Sequence, residues 1–258
     1  MSTIKHRLMA GELLLGTMIS EVRNPNVAYL LAQAGFEFFI IDNEHGSFSS
    51  ETVSSMIAAA RGTTAAAVVR IPEIRRETIL KPLDAGAAGL MVPQVQTREQ
   101  AQEVVLHAKY PPEGNRGAAL RRAHSRYARI GAEEYLKRAN DDLLIAVQVE
   151  SAEAVENADQ IASVQGIDCI FAGPFDLSIS LGVPGQTTHK RVVQAVDVML
   201  QACRKHGKAA GILLFDTKPL KEWIAKGMRF VAYSGDVMLL ADAAADAVKE
   251  LKGMVGEK

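Results

Sequence analysis

The stretch FFIIDNEH (38–45) is an apolar run that ends directly on ionisable side chains. Three further stretches have the same form, namely AAVVRIP (66–72) with Arg70, LLIAVQVES (143–151) with Glu150 and CIFAGPFD (169–176) with Asp176. Strands of a parallel sheet that is covered on both faces are near-continuous apolar runs. A charge at the end of such a strand is desolvated unless it has a partner or a function. The four endings therefore predict one polar site at the top of a parallel barrel.

The composition is that of an ordinary globular protein, with 258 residues, 48% hydrophobic and 23% charged. A net charge of −1 gives no general attraction for nucleic acid or anionic membranes. The apolar runs are too short to span a bilayer, and the first residues lack the apolar core of a signal peptide. The two cysteines form no CxxC, and Cys169 lies in an apolar run that indicates an inert buried thiol. We expect one cytoplasmic domain over 1–258, with no nucleic-acid or membrane partner.

Short apolar runs alternate with longer helical patterns along the chain. Strands are predicted at 13–19, 37–42, 66–72, 89–95, 143–149, 168–173, 209–215 and 229–234. Many of the helical patterns between them end in Gly, the expected helix stop. Eight such units with right-handed crossovers predict an α/β fold, a single-domain (β/α)8 TIM barrel, with a doubly wound open sheet as the alternative. The sequence has no GxGxxG after its first strand and no GxxxxGK[ST], so nothing supports a dinucleotide or P-loop site.

Glu150 and Asp176 follow the fifth and sixth predicted strands, which are neighbours in the barrel. Two carboxylates brought together there repel each other unless a cation compensates. Mg²⁺ is bound by few protein carboxylates together with waters and substrate oxygens, so we favour a divalent metal held by these two residues. Two alternatives to a metal site remain open: either each acid pairs separately with an arginine, or Asp176 caps the helix that it begins.

His45 ends the segment Asp42-Asn43-Glu44-His45 on the same predicted face as the acids. Histidine is the usual general base near neutral pH, and a neighbouring carboxylate fixes its tautomer and orientation. Asp42 is one candidate for that carboxylate, and Asp84, just before the fourth strand, is the other. The sequence does not rank them. Glu44 is a supporting candidate in this segment.

Arg70 ends an apolar strand, and a buried arginine is rare unless it is paired. Its partners are the site acids or an anionic oxygen that develops on a substrate, since a guanidinium offers a permanent charge and a fixed fork of donors. Gln94 and Gln148 lie at or inside strand ends and either donate to a substrate oxygen or satisfy polar groups of the core. The turn before Asp176 offers backbone N–H groups to a substrate carboxylate, although Gly-Pro turns are common.

One long stretch between the fourth and fifth strands interrupts the alternation. It is rich in arginine, with Arg116, Arg121, Arg122, Arg126 and Arg129. Long loops in compact domains are usually functional or disordered. Because this one follows a strand, the choice lies between a lid or substrate-selecting loop and a solvated basic loop.

Several motifs in this order resemble the metal-dependent class II pyruvate aldolases, which include 4-hydroxy-2-oxoheptanedioate and 2-dehydro-3-deoxyglucarate aldolases. The motifs are FIIDNEHGSFS (39–49), VVRIP (68–72), LDAGAAGLMVPQVQTREQA (83–101), YPPEGNRG (110–117), VQVES (147–151) and FAGPFDLSISLG (171–182). Each motif is short, but the ordered set covers most of the chain and is specific. The sequence departs from the family at Gly46-Ser47-Phe48 and in the segment after Gly117, so the resemblance leaves the aldehyde unspecified.

The resemblance implies a (β/α)8 barrel that assembles as a homo-oligomer, a trimer or hexamer, with a C-terminal helix exchanged between subunits. It further implies Mg²⁺, or Mn²⁺ or Co²⁺, at Glu150 and Asp176, and proton transfer by His45. Arg70 would neutralise an enolate oxygen, and backbone amides near Phe175 and Asp176 would hold the carboxylate of pyruvate or a related 2-oxo acid. The expected reaction is C–C bond formation or cleavage between that 2-oxo acid and an aldehyde.

Other functions compete with this one. A Schiff-base aldolase needs a lysine at or within a strand, and the predicted strands contain none. A CoA-ester lyase or a phosphoenolpyruvate-utilising enzyme on a related metal-dependent barrel needs a larger basic site, which the arginine-rich loop would supply. A non-catalytic binding barrel leaves the clustered acids, His45 and Arg70 without a role.

Overall fold

The computed structural model describes residues 2–254 and shows a closed barrel of eight parallel strands in chain order, so the predicted fold is confirmed. The strands are β1 (Leu14–Ile19), β2 (Phe38–Asp42), β3 (Ala66–Arg70), β4 (Gly89–Val92), β5 (Leu144–Val149), β6 (Cys169–Ala172), β7 (Ala209–Leu214) and β8 (Phe230–Gly235). Each pairs with the next, and β8 pairs with β1. Closure removes the sheet edges, which excludes the open doubly wound alternative.

Helices follow the strands and surround the barrel. They are α1 (Ile4–Met9), α2 (Val27–Gln33), α3 (Ser50–Ala60), α4 (Arg76–Ala85), α5 (Arg98–Ala108), α6 (Ala132–Asp142), α7 (Ala152–Glu156), α8 (Ala158–Ala162), α9 (Pro174–Ser180), α10 (Lys190–His206), α11 (Thr217–Lys226) and α12 (Asp236–Met254). The pattern after β5 predicts one helix, but the chain forms α7 and α8 with Asn157 between them. No helix in the described part of the chain combines the length and apolarity of a membrane span.

The barrel interior is filled by alternate residues of the strands. Phe38 of β2 stacks on Phe230 of β8 with 4.0 Å between ring centroids, and Cys169 lies in the same core as expected. A Cβ at Gly16 would lie 2.4 Å from the Phe38 ring, so the close approach of this ring to β1 requires glycine. The helix α1, which the sequence patterns do not predict, packs Ile4 and Leu8 into this interior core.

The alternation of side chains along each strand also determines which residues face the interior at the carboxyl end of the barrel. Side chains alternate between the two faces of a strand, so Asp42, Arg70 and Gln148 point to the same side as the interior residues below them. Asp42 and Arg70 are direct register partners across β2 and β3. All three are buried. The apolar interior of the barrel therefore ends in a polar layer at the carboxyl ends of the strands.

The arginine-rich loop lies at the opposite end of the barrel, which corrects the expectation that it follows a strand. Helix α5 (Arg98–Ala108) intervenes, and helices run back toward the strands' amino ends, so residues 109–131 start at the amino end. A 3-10 turn at Ala123–Ser125 packs against α4, and Arg116 forms an ion pair with Asp84 at 2.7 Å. Within one chain this loop does not cover the polar layer.

Candidate active site

Arg70 and Asp42 form a buried bidentate ion pair. The Nε and Nη2 of Arg70 donate to the two carboxylate oxygens of Asp42 at 2.9 and 2.7 Å. Nη1 lies 3.0 Å from the Glu44 carboxylate. Burial opposes the charge of Arg70, but its hydrogen bonds with Asp42 and the attraction of Asp42, Glu44 and Glu150 raise its pKa. Arg70 therefore stays cationic and is held in one orientation by two acids.

Asp42 also shapes the segment that carries His45. Its Oδ1 accepts the backbone N–H groups of Glu44 and His45 at 3.1 and 3.3 Å. The His45 side chain itself is exposed at the carboxyl face of the barrel. Among the hydrogen bonds of residues 2–254, neither Asp42 nor Asp84 bonds the His45 ring. Asp84 lies in the last turn of α4, bound to Arg116 at the other end of the barrel.

Glu150 directly follows β5 and is only 3% exposed. Its Oε1 accepts the backbone N–H of Gln94 at 2.9 Å, and its Oε2 accepts Nε2 of Gln148 at 3.0 Å. Gln94 reaches this position with a φ of 55°, a left-handed conformation that costs energy for a residue other than glycine. Burial raises the pKa of Glu150 to about 7, and repulsion from Asp176 and Glu44 adds to that rise.

Gln148 and Gly173 complete the surroundings of Glu150. The Oε1 of Gln148 is buried and has no hydrogen-bond partner among the described residues. An orphaned buried acceptor needs a donor that a bound water or substrate supplies. A Cβ at Gly173 would lie 2.5 Å from Oε2 of Glu150, so a larger residue there would displace the carboxylate.

Asp176 is the third residue of α9 and is half-buried. Gly173 is the N-cap residue and Pro174 the first residue of this helix, so Asp176 is not the cap. Repulsion by Asp176 contributes to the raised pKa of both Glu150 and Glu44, although burial is the larger cause for each. Phe175 beside it is exposed to solvent. The structure thus brings Asp176, Glu150 and Glu44 to one place, with Arg70 beside them.

This set of groups fits a divalent cation that prefers oxygen ligands. Asp176 lies close enough to Glu150 to disfavour the ionised form of Glu150, which is the situation that a cation relieves. Within residues 2–254, no group of three or more His, Cys, Asp or Glu side chains is arranged to hold a metal. Two carboxylates are enough for Mg²⁺, because waters and substrate oxygens supply its remaining ligands.

The sequence interpretation missed one acid at this face. Asp236 follows β8, and its carboxylate accepts backbone N–H groups from the segment after β1. The signal for it was present, because RFVAYSGD (229–236) is another apolar run that ends on an acid. The strand prediction stopped at Ser234, two residues before it. Glu44 also has a larger part than expected, as the second acid bound to Arg70.

Parallel barrels that gather ionisable groups at the carboxyl ends of their strands have the layout of (β/α)8 enzymes. Residues 17–243 match the family described as HpcH/HpaI aldolase/citrate lyase, and the chain belongs to that family. The protein is a carbon–carbon lyase of the aldolase type.

Similar proteins cover nearly the whole chain. The hydroxypyruvate/pyruvate aldolase of Deinococcus radiodurans is 40% identical over 245 residues, which are 94% of this chain and 87% of that protein. The 2-keto-3-deoxy-L-rhamnonate aldolase of Klebsiella pneumoniae is 39% identical over 241 residues, 93% and 89% of the two chains. The crystal structure of an HpcH/HpaI aldolase from Desulfitobacterium hafniense superposes with a TM-score of 0.94 at 34% identity, covering 98% of this chain and 97% of that one.

Proposed function

We propose that the protein joins or cleaves a C–C bond between the enolate of pyruvate, or a related 2-oxo acid, and an aldehyde. The observation that carries this proposal is the buried Arg70, oriented by Asp42 and Glu44 beside the carboxylates of Glu150 and Asp176. A fixed cation next to two carboxylates that fit a divalent metal ion suits a reaction in which negative charge develops on an oxygen. The names of the aldolase relatives support pyruvate and 2-keto-3-deoxy acids as the substrate class.

Glu150 and Asp176 would hold the divalent ion, Mg²⁺ in the first place and Mn²⁺ or Co²⁺ as alternatives. When bound, such an ion supplies Lewis-acid polarisation of the 2-oxo group. Oε1 of Gln148 is placed beside Glu150 to accept a hydrogen bond from a water or a substrate hydroxyl. Backbone N–H groups of Phe175 and Asp176, in the first turn of α9, would donate to the substrate carboxylate.

Arg70 would stabilise the enolate oxygen, and His45 would transfer the proton. The Nε and Nη2 of Arg70 bind Asp42, and one hydrogen of Nη1 faces Glu44, so a second N–H of Nη1 stays available for the substrate oxygen that becomes the enolate. His45 is exposed on the same face and would take the proton from C3 of pyruvate. After the C–C bond forms, the proton on His45 would pass to the new C4 oxygen, and in cleavage the same proton would move from that hydroxyl back to C3.

A CoA-ester lyase or a phosphoenolpyruvate-utilising enzyme is the second candidate. This candidate requires a larger basic surface at the site, and the sequence suggested that the arginine-rich loop would supply that surface. Because this loop starts at the amino end of the barrel, Arg116 serves Asp84 rather than the acids of the site. The single chain therefore gives this candidate less support than the aldolase.

Exchange of the pyruvate methyl protons tests the proposal without an aldehyde. In D2O with Mg²⁺ or Mn²⁺, we expect the methyl signal of pyruvate to disappear from the proton NMR spectrum, because proton removal by His45 is reversible. The same protein stripped with EDTA is the control and should lose the exchange until metal is restored. Absence of exchange with metal present would contradict the aldolase and favour a CoA or phosphate substrate. Borohydride trapping with pyruvate should leave no covalent adduct.

A screen of candidate aldehydes would identify the second substrate, which the fold does not specify. Short hydroxyaldehydes, succinic semialdehyde and tartronate semialdehyde are the probes, each offered with pyruvate and metal. The product that forms fastest identifies the 4-hydroxy-2-oxo acid that the enzyme handles in the cleavage direction.

The last helix supports a homo-oligomer. After Asp236, α12 contacts the barrel at β1 and β8, and its apolar residues Leu240, Val248 and Leu251 are exposed. Apolar helix faces of this length are normally covered, and a neighbouring copy would cover this one by exchange of α12, giving a trimer or hexamer. We expect the full chain to elute as an oligomer, and we expect a chain ending at Leu239, which keeps Asp236 and its hydrogen bonds, to lose that state. Light scattering measures it, and a monomeric full chain would contradict the exchange.

A further inference from the structure

Asp236 is the first residue of α12 and is 8% exposed. Its Oδ1 accepts the backbone N–H and the hydroxyl of Ser20, both at 3.1 Å, and the N–H of Val237 at 3.0 Å. Its Oδ2 accepts the N–H groups of Glu21 and Val22 at 2.9 and 2.7 Å. A carboxylate with five donors is an unusually well-satisfied anchor for the segment after β1.

The segment after β1 in turn supports the segment that carries His45. A Cβ at Gly46 would lie 2.2 Å from the carbonyl oxygen of Asp42 and 3.2 Å from that of Ser20, so residue 46 is packed between the two backbones. Nη2 of Arg23 donates to the hydroxyl of Ser47 at 2.9 Å. The chain of contacts therefore runs from Asp236 through residues 20–23 to residues 46 and 47, the two residues that follow His45.

The charge state of Asp236 is suited to this role. Burial disfavours its ionised form, but the hydrogen bonds from Val22, Glu21 and Ser20 outweigh that effect and lower its pKa. Asp236 therefore accepts on both oxygens over the whole neutral range. Asparagine at this position has only one acceptor oxygen, and its NH2 group would face N–H donors.

The geometry points to Asp236 as a positioning residue for proton transfer. We propose that its carboxylate fixes residues 20–23, and through them the placement of His45, without touching the substrate. This inference rests on the proposed function, in which His45 moves the C3 proton. Glu150 and Asp176 follow β5 and β6, and neither of these strands pairs with β1 or β8, so pyruvate binding should be independent of Asp236.

Asp236→Asn separates proton transfer from substrate binding. We expect kcat for pyruvate proton exchange to fall about tenfold to a hundredfold, since a displacement of about 1 Å in a catalytic group costs up to that factor. The KM for pyruvate should stay within about twofold of the wild-type value. Deuterium uptake by the amides of residues 43–47, followed by mass spectrometry, should rise in the variant.

Asp168→Asn is the matched control. Asp168 is also buried, accepts the N–H of Ile145 at 2.9 Å and pairs with Lys5 at 3.1 Å, but it lies at the amino end of the barrel. We expect this change to lower the melting temperature and to leave kcat unchanged. A general loss of stability would instead lower the activity of both variants together.

A milder variant, Arg23→Gln, covers the case in which Asp236→Asn fails to fold. It breaks only the bond to Ser47 and should lower kcat in the same direction with KM retained. If the wild type exchanges no protons, the proposed function fails, and the deuterium uptake of residues 43–47 still decides the structural link. Unchanged kcat and unchanged uptake in Asp236→Asn, or in Arg23→Gln if that is the variant that folds, would overturn the inference.

Discussion

Arg70→Ala is expected to lower the turnover of pyruvate proton exchange by about 10²–10³, the usual cost of removing one group that stabilises a developing oxyanion. The loss should appear in kcat, because the charge on the enolate oxygen exists only after proton removal. Steady-state exchange rates at saturating pyruvate and metal measure it. Turnover equal to that of the wild type would exclude Arg70 as the group that neutralises the enolate.

The same substitution also removes the partner of a buried acid. Asp42 is 2% exposed, and leaving it without Arg70 should cost roughly 3–5 kcal/mol of stability. Arg70→Lys is the sharper experiment, because lysine keeps the positive charge but cannot form the two parallel bonds to Asp42. We expect it to fold, to bind pyruvate and to turn over far more slowly than the wild type.

Arg229→Lys is a suitable control for the replacement of a partly buried arginine away from the site. Nη1 of Arg229 donates to the carbonyl oxygens of Ile224 and Met228, at the amino end of β8. This change should lower the melting temperature slightly and leave turnover unchanged. If both arginine variants lose turnover equally, the effect of Arg70 is structural and not electrostatic.

The strand endings were predictable because burial and charge conflict there. An apolar run that ends on Asp42, Arg70, Glu150 or Asp176 needs an explanation from the sequence alone, and the barrel supplies it by bringing neighbouring strand ends together. The rule is not general, because AAGILLFD (209–216) also ends on an acid, and that residue, Asp216, is exposed and caps α11. The rule missed Asp236 only because the eighth strand was ended two residues early.

The partners of those groups were not predictable. Asp42 and Arg70 meet because they are register partners across β2 and β3, and register depends on how the whole barrel closes. Gln94 supplies the amide that holds Glu150 through a left-handed backbone, which glutamine does not signal. The arginine-rich loop was placed at the wrong end because the helical segment before it was not counted in deciding which strand end the loop leaves.

Glu150→Gln should abolish metal-dependent turnover while preserving the fold. The new amide can accept from the N–H of Gln94 as the carboxylate does. Its NH2 group can donate to the Gln148 amide once that amide turns its orphaned Oε1 toward residue 150. We expect pyruvate exchange to fall by at least the 10²–10³ typical of a lost electrostatic partner, and added Mg²⁺ should no longer raise the melting temperature.

The raised pKa of Glu150 gives this variant a second readout, the pH dependence of stability without metal. The carboxyl titrates at about 7 in the folded protein and near its ordinary value of 4.5 when unfolded, so between these values the folded state holds the extra proton. Stability must therefore fall as pH rises through this window, by roughly 3 kcal/mol from this group alone. Urea unfolding in EDTA from pH 5 to 8 should show this fall in the wild type relative to Glu150→Gln, and saturating Mg²⁺ should remove it. Parallel pH profiles for the two proteins would mean that Glu150 does not have a raised pKa in the folded protein.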